Sequence, residues 1–205
     1  MNTSVKSEPL VSSARERILQ AAYEEMYEHG FQGLRIDAVL QKTQLAKGAL
    51  YHYFPNKLAL AYAVVDEVLM AHFQQTWSDF LSASNDPLKA MKGFFQKKCA
   101  EVSSGECSNG CPLTNLMQEM STLDKGFQQR LQALMMNIVS TVEQALHQGQ
   151  KDGIVRKDIN PHKISPFLLS SYQGIMGSAK CMDSQELMVE LFDTLSEYVE
   201  SLRQK

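Results

Sequence analysis

Lys47, Gly48, Tyr51, His52, Tyr53 and Lys57 place two ammonium groups, two phenols and an imidazole within eleven consecutive positions. Groups of this kind donate hydrogen bonds to phosphate oxygens and to the edges of bases. Gly48 lets the start of its segment approach another molecule's backbone closely. Lys57 follows Pro55 and Asn56 and falls at a predicted helix N-terminus, where anions bind well. A second reactive grouping lies in the stretch Ser-Gly-Glu-Cys-Ser-Asn-Gly-Cys over 104–111. Pro112 suits the first position of a helix, which makes Cys111 its cap residue, where unpaired amides and the helix dipole favour a thiolate. Cys107, four residues earlier, is close enough to resolve an oxidised Cys111 as a disulfide. The plainer expectation is a small buried cap residue at Cys111 and an idle thiol at Cys107. Cys99 and Cys181 read as apolar fillers buried on helices. Neither His52 nor the two cysteines have further ligands at zinc spacing, so neither a metal nor a cofactor is expected.

The elements that must position these groups are helical. Ile18, Leu19, Ala22, Met26 and Phe31 recur at spacings of three and four from Ala14, and Gly30 is a plausible C-cap. A second segment starts near Arg35 with Ile36, Val39 and Leu40 on one face. After the turn at Thr43-Gln44, a third runs from Lys47 to Phe54 and is stopped by Pro55. Leu45, Leu50 and Phe54 share one face of it and are expected to pack against Ile18, Ile36 and Val39. Lys47, Gly48, Tyr51, His52 and Tyr53 share the opposite face. Two short helices joined by a tight turn have the layout of a helix-turn-helix, whose second helix enters the major groove. Asn56 caps the next helix, which carries Leu58, Ala61, Tyr62, Val65, Leu69 and Phe73. Further helices are predicted over about 87–103, 112–120, 125–150, 161–182 and 184–203. No period-two strand pattern and no internal repeat occur, so the fold class is all-α, with about nine helices.

Residues 14–60, above all the run from Leu45 through Ala49 to Lys57 (LAKGALYHYFPNK), closely resemble the DNA-binding domain of the TetR/AcrR transcriptional regulators. The resemblance implies that Lys47 and Gly48, with Ala49 beside them, meet base edges and backbone, that Tyr51, Tyr53 and Lys57 clamp phosphates, and that His52 lies on the same side. Two positions depart from the family pattern. Leu58 stands where an acid is common, and Arg35 stands where a small hydroxyl residue is common, which offers an extra contact to DNA. The implied domains are an N-terminal arm over 1–12, a helix-turn-helix domain over 13–58 and a ligand-binding and dimerisation domain over 59–205.

By the same resemblance, the last two helices pair with their symmetry mates in a homodimer. Leu168, Leu169, Tyr172, Ile175 and Met176 on one, and Leu187, Val189, Leu191, Leu195, Val199 and Leu202 on the other, supply apolar faces, and Gly174 and Gly177 permit close approach. A small-molecule effector is expected among the body helices, with Phe73, Trp77, Phe94, Phe95, Met117, Met120, Met135 and Tyr172 as candidate lining. The segment around Gly110-Cys111-Pro112 resembles a subgroup of these regulators, some of which sense electrophiles or oxidants through that cysteine.

Composition sets the outer bounds. At 205 residues, 44% apolar and 21% charged, the chain is ordinary for a folded protein and has no apolar run of membrane-spanning length. The absence of a signal-like N-terminus and of a cysteine framework leads to an expectation of the cytoplasm. The net charge of −3 divides into +1 over residues 1–60 and −4 over the rest, a mildly positive head on an acidic body. The expected function is a DNA-binding regulator, most simply a repressor on a palindromic operator, released by a small molecule or by cysteine modification. The alternative is a thiol redox enzyme using Cys111 and Cys107. It leaves the Lys47–Lys57 run unexplained, and no catalytic motif supports it, so the expectation is not an enzyme.

Overall fold

The computed structural model describes residues 13–105, 109–181 and 184–205. These fold into two compact units that divide between Val64 and Val65.

The first unit holds α1 (Ala14–Gly33), α2 (Ile36–Thr43), α3 (Lys47–Tyr53) and α4 (Lys57–Ala63). A capping box starts α1: the Glu16 amide donates to Ser13 Oγ at 3.2 Å, and the Ser13 amide donates to Glu16 Oε2 at 2.8 Å. Gly30, at φ 72°, breaks the helical path in the left-handed region, and one more turn follows it before Leu34. Gln44 (φ 56°) closes α2 in the left-handed region, the tight turn that redirects the chain into α3. The Arg17 guanidinium donates to the Thr43 carbonyl, and the Thr43 hydroxyl donates to the Val39 carbonyl at 2.8 Å, so the turn is pinned from both sides. Ile18, Val39, Leu50 and Leu60 are fully buried, with Phe54 beside them. Leu45 is only half-buried and contributes less to this core than its spacing suggests. Asn56 caps α4 by accepting from the Ala59 amide at 2.8 Å.

A π-helical turn at Val64–Leu69 follows α4 directly and leads into α5 (Met70–Ser82). Periodicity reads one regular helix here. The wider turn rotates the apolar stripe, so that neighbouring Val64 and Val65, together with Leu69, are all fully buried.

The second unit continues with α6 (Pro87–Ser103), α7 (Pro112–Met120), α8 (Lys125–Lys151), α9 (Pro161–Ser178) and α10 (Gln185–Glu200). Asp86, Asp124, Asn160 and Ser184 each accept an amide hydrogen bond at a helix start. α10 packs on α6, and α8 packs on α9, α5 and α7. Phe94, Phe95, Phe127 and Phe192 are the largest wholly buried side chains. The chain end is tied in by Arg156 N–H to the Leu202 carbonyl and Gln204 N–H to the Ile154 carbonyl, at 2.9 and 2.8 Å. Among the described residues the one β feature is the isolated bridge between Val155 and Arg203, and no helix is long and apolar enough to cross a membrane.

Candidate nucleic-acid interface

Two side chains orient α3. Leu50 and Phe54 are buried in the first unit, which turns Lys47, Gly48, Tyr51, His52 and Tyr53 outward; Tyr51 and Tyr53 are 40% and 41% exposed. Neither tyrosine is part of the core of the unit, and Ala49 is half-buried between the two faces. A Cβ on Gly48 would meet nothing within 4 Å, so the fold itself does not require glycine there.

The Lys47 ammonium lies over the Tyr51 ring at 6.0 Å, and the His52 and Tyr53 rings meet edge to face at 5.1 Å. Arg35 is the exposed N-cap residue of α2 and makes no side-chain capping bond. Lys57 is held differently from the others. Its ammonium donates to the Gln32 carbonyl at 3.0 Å and sits over the Phe31 ring at 5.0 Å, which fixes its position and leaves further N–H donors for an anion.

A count over the first sixty residues understates the charge of this surface. No Asp or Glu occurs from position 38 to position 65, a stretch that carries Lys42, Lys47 and Lys57. Apart from Asp37 on α2, the acids of the unit lie on α1, where Glu24 and Glu25 each lie 3.4 Å from the Lys42 ammonium and largely offset it. Lys47 has no carboxylate partner among the described residues. Local density of one sign, rather than net charge, is what a phosphate backbone meets. The one metal-type grouping among the described residues, Glu25, Glu28 and His29, lies on α1 and does not include His52.

The residues expected to line an effector pocket are mostly core. Phe73, Trp77, Phe94, Phe95, Met120 and Tyr172 are buried; Met117 and Met135 are half-buried. Trp77, Phe94, Phe95 and Tyr172 form one aromatic cluster, with Trp77–Phe94 centroids 4.6 Å apart and Phe94–Tyr172 5.2 Å apart. Met117 lines an open cleft of about 450 Å³ between α7 and α9.

Two further expectations change. Leu168, Leu169, Tyr172, Ile175, Met176, Leu195, Val199 and Leu202, expected to meet a second copy, are buried within the subunit, because α8 and α6 cover those faces. Phe167 and Val189 are the large apolar side chains left outward on α9 and α10, at 51% and 41% exposure. Cys181 is exposed, beyond the end of α9, where its thiol lies 3.4 Å from the Ser178 carbonyl, and Cys99 is half-buried, with burial pushing its thiol pKa up.

Cys111 is the N-cap residue of α7. It is buried, and its side chain makes no capping hydrogen bond. Gly110, at φ 73°, lets Lys180 and the Met176 carbonyl approach so closely that an added Cβ would stand 3.1 Å from each. Cys107 and the arm over 1–12 lie outside the described residues.

Comparison with known proteins gives the family and the fold. Residues 18–64 match the family described as bacterial regulatory proteins, tetR family, and residues 87–195 match the tetracyclin repressor-like C-terminal domain. An uncharacterized HTH-type transcriptional regulator of Lactococcus lactis subsp. lactis is 25% identical over 94% of this chain and 96% of its own. The HTH-type transcriptional repressor DhaR of Mycobacterium sp. (strain GP1) is also 25% identical, over 84% of this chain and 85% of its own. The crystal structure of the reduced form of Escherichia coli NemR has a similar fold, with a TM-score of 0.80 at 20% identity, covering 93% of this chain and 97% of that one.

Proposed function

The chain belongs to the TetR family of bacterial regulatory proteins, as a helix-turn-helix transcriptional regulator that binds DNA, and from that premise we propose the cycle in which it operates. It is a repressor that sits on a palindromic operator as a homodimer and leaves it when an effector binds or Cys111 is modified. The single observation that carries the reading is the outward face of α3, where Lys47, Gly48, Tyr51, His52 and Tyr53 stand on a stretch without acids.

In this reading Lys47 and the bare backbone at Gly48 reach base edges and the adjoining DNA backbone, where the Lys47 ammonium meets phosphate, while Tyr51, Tyr53, Lys57 and Arg35 hold further phosphates. His52 and Ala49 complete the surface that faces the groove. A two-fold dimer presents two such helices to half-sites about 34–36 Å apart. An effector that favours another spacing by about 1.4 kcal/mol shifts the equilibrium tenfold. The second copy seats on the outward faces of α9 and α10, around Phe167 and Val189, since the deeper apolar residues are already covered. The protein acts in the cytoplasm, where the operator is, and works by binding rather than by catalysis, since a thiol enzyme would leave the outward face of α3 unexplained.

Selection of genomic DNA fragments on the full chain tests the reading, with and without a mild electrophile. Recovery of a palindrome supports the dimeric regulator. Release that reductant reverses, and that Cys111→Ser abolishes, assigns the trigger to the thiol; release only by a noncovalent molecule assigns it elsewhere. Failure to enrich any sequence would refute the proposed cycle.

A further inference from the structure

Three buried side-chain atoms among the described residues have no hydrogen-bond partner within the chain: Glu25 Oε2, Thr114 Oγ1 and Gln173 Nε2. Thr114 and Gln173 line the cleft between α7 and α9, beside a face that the proposed dimer covers. Glu25 stands elsewhere, on α1 in the first unit, and is 3% exposed. A folded chain ordinarily meets such a group internally, and a buried carboxylate oxygen left alone costs more than a neutral one. The other oxygen, Oε1, lies 3.4 Å from the Lys42 ammonium, which Glu24 shares at the same distance. Charged pairs usually close to about 2.7–2.9 Å, so Lys42 satisfies this carboxylate only in part.

The surroundings define what else would meet it. Glu28 and His29 follow Glu25 by three and four residues, the spacing that gathers side chains on one face of a helix. Each of the three offers a ligand atom within 4.8 Å of the other two, with Glu25 buried and Glu28 and His29 exposed. Glu28 Oε2 and His29 Nε2 are already 3.6 Å apart. Donor atoms around a tetrahedral ion with bonds of about 2.1 Å stand about 3.4 Å apart, so rotation of the two exposed side chains closes the remainder. A Cβ at Gly33 would stand 2.8 Å from His29 Cβ, and glycine there leaves the histidine its place. Lys42 offsets one of the carboxylates of Glu24, Glu25 and Glu28, and a single dication balances the other two.

We propose that Glu25, Glu28 and His29 form a binding site for a divalent transition-metal ion of the zinc class, on α1 just before the break at Gly30. One imidazole with two carboxylates is a mixed nitrogen and oxygen set, which suits zinc, whereas magnesium and calcium favour oxygen alone. The ion gives the buried Glu25 carboxylate the partner it lacks, and water completes the coordination at the exposed rim. The site uses none of the residues assigned to DNA and stands without the repressor cycle.

The test uses the full chain in reductant, with zinc, magnesium and calcium ions as probes. Isothermal titration calorimetry gives stoichiometry and dissociation constant for the wild type, Glu25→Gln, His29→Gln and the control His147→Gln. His147 faces Glu143 on α8 at 3.7 Å, an ordinary pair along one helix. His29 is exposed, so its substitution leaves the fold intact; Glu25→Leu stands in if Glu25→Gln unfolds, because an apolar side chain suits so buried a position. One equivalent of zinc is expected that Glu25→Gln and His29→Gln each remove or weaken at least about tenfold, and that His147→Gln leaves unchanged. Magnesium and calcium are expected to bind at least about a hundredfold more weakly. Zinc should raise the thermal midpoint of the wild type more than that of His29→Gln. Absence of saturable zinc binding by about 1 mM, zinc binding indifferent to substitution at either Glu25 or His29, or calcium binding as tight as zinc would each overturn the proposal.

Discussion

Lys47→Ala is the substitution with the most informative consequence for DNA binding. The Lys47 ammonium is exposed at the start of α3, 6.0 Å above the Tyr51 ring, and faces no carboxylate among the described residues. Its whole charge is therefore available to a phosphate. A dimer carries two copies, and each phosphate contact contributes about 0.9 to the slope of log affinity against log salt. The variant should lower that slope by about 1.8, which is about 30-fold in affinity at 0.15 M salt relative to 1 M, or about 2 kcal/mol. Lys42→Ala is the internal control, because Glu24 and Glu25 lie 3.4 Å from its ammonium. Its removal should leave the slope within about 0.5 of the wild type. Fluorescence anisotropy on the selected operator between 0.05 and 0.5 M salt, with circular dichroism to verify folding, reads both. Any loss at Lys47 that persists at high salt reports base contact rather than phosphate contact. An unchanged slope for Lys47→Ala, or an equal change for Lys42→Ala, would refute the assignment of α3 as the reading helix.

Three further outcomes concern the scaffold. Hydrogen bonds from Arg203 and Lys92 hold the Glu200 carboxyl at about 2, and Asp86, which burial pushes up, is held below its ordinary value by the Lys89 amide and Arg203. Both folded-state values are depressed, so their stabilisation is present above the ordinary carboxylate range and lost as pH falls toward 2. Arg203→Ala should flatten that acid limb in urea titrations, by no more than about 1–2 kcal/mol because these side chains are partly exposed; an unaltered limb contradicts it. Gly149→Ala should cost about 1–3 kcal/mol in urea unfolding, because its Cβ would stand 2.6 Å from Val155 Cγ2 and 2.8 Å from Pro87 Cγ. A neutral result would mean that α8 and the start of α6 yield freely there. Ser13→Ala should remove about 1 kcal/mol from α1 by opening its capping box, read as faster amide exchange at Glu16; unchanged exchange would show that the cap is not needed.

Most of the helices were legible in the sequence because their signals are local. Asn56, Asp86 and Asn160 cap the helices that follow them, and Pro112 begins α7, each by chemistry confined to one turn. The outward face of α3 was legible for a related reason: with Leu50 and Phe54 inward, a period of 3.6 puts Gly48 and His52 opposite and Tyr51 and Tyr53 on the flanks, while Lys47 is exposed as the first residue of the helix. The π turn at Val64–Leu69 was not, since an apolar run reads the same through a regular helix and a widened one. Periodicity also tells which residues share a stripe but not what covers it. Leu168, Leu169 and Met176 looked available to a second copy, and α8 had already taken them; Cys181 looked buried, and it lies past the last turn of α9. The neutralisation of Lys42 by α1, and the meeting of Thr114 with Gln173 across one cleft, join residues far apart in the chain. Caps and stripes are properties of a single helix, so sequence alone determined them. Burial, charge pairing and unmet hydrogen bonds are properties of helix pairs, and only the tertiary structure decided those.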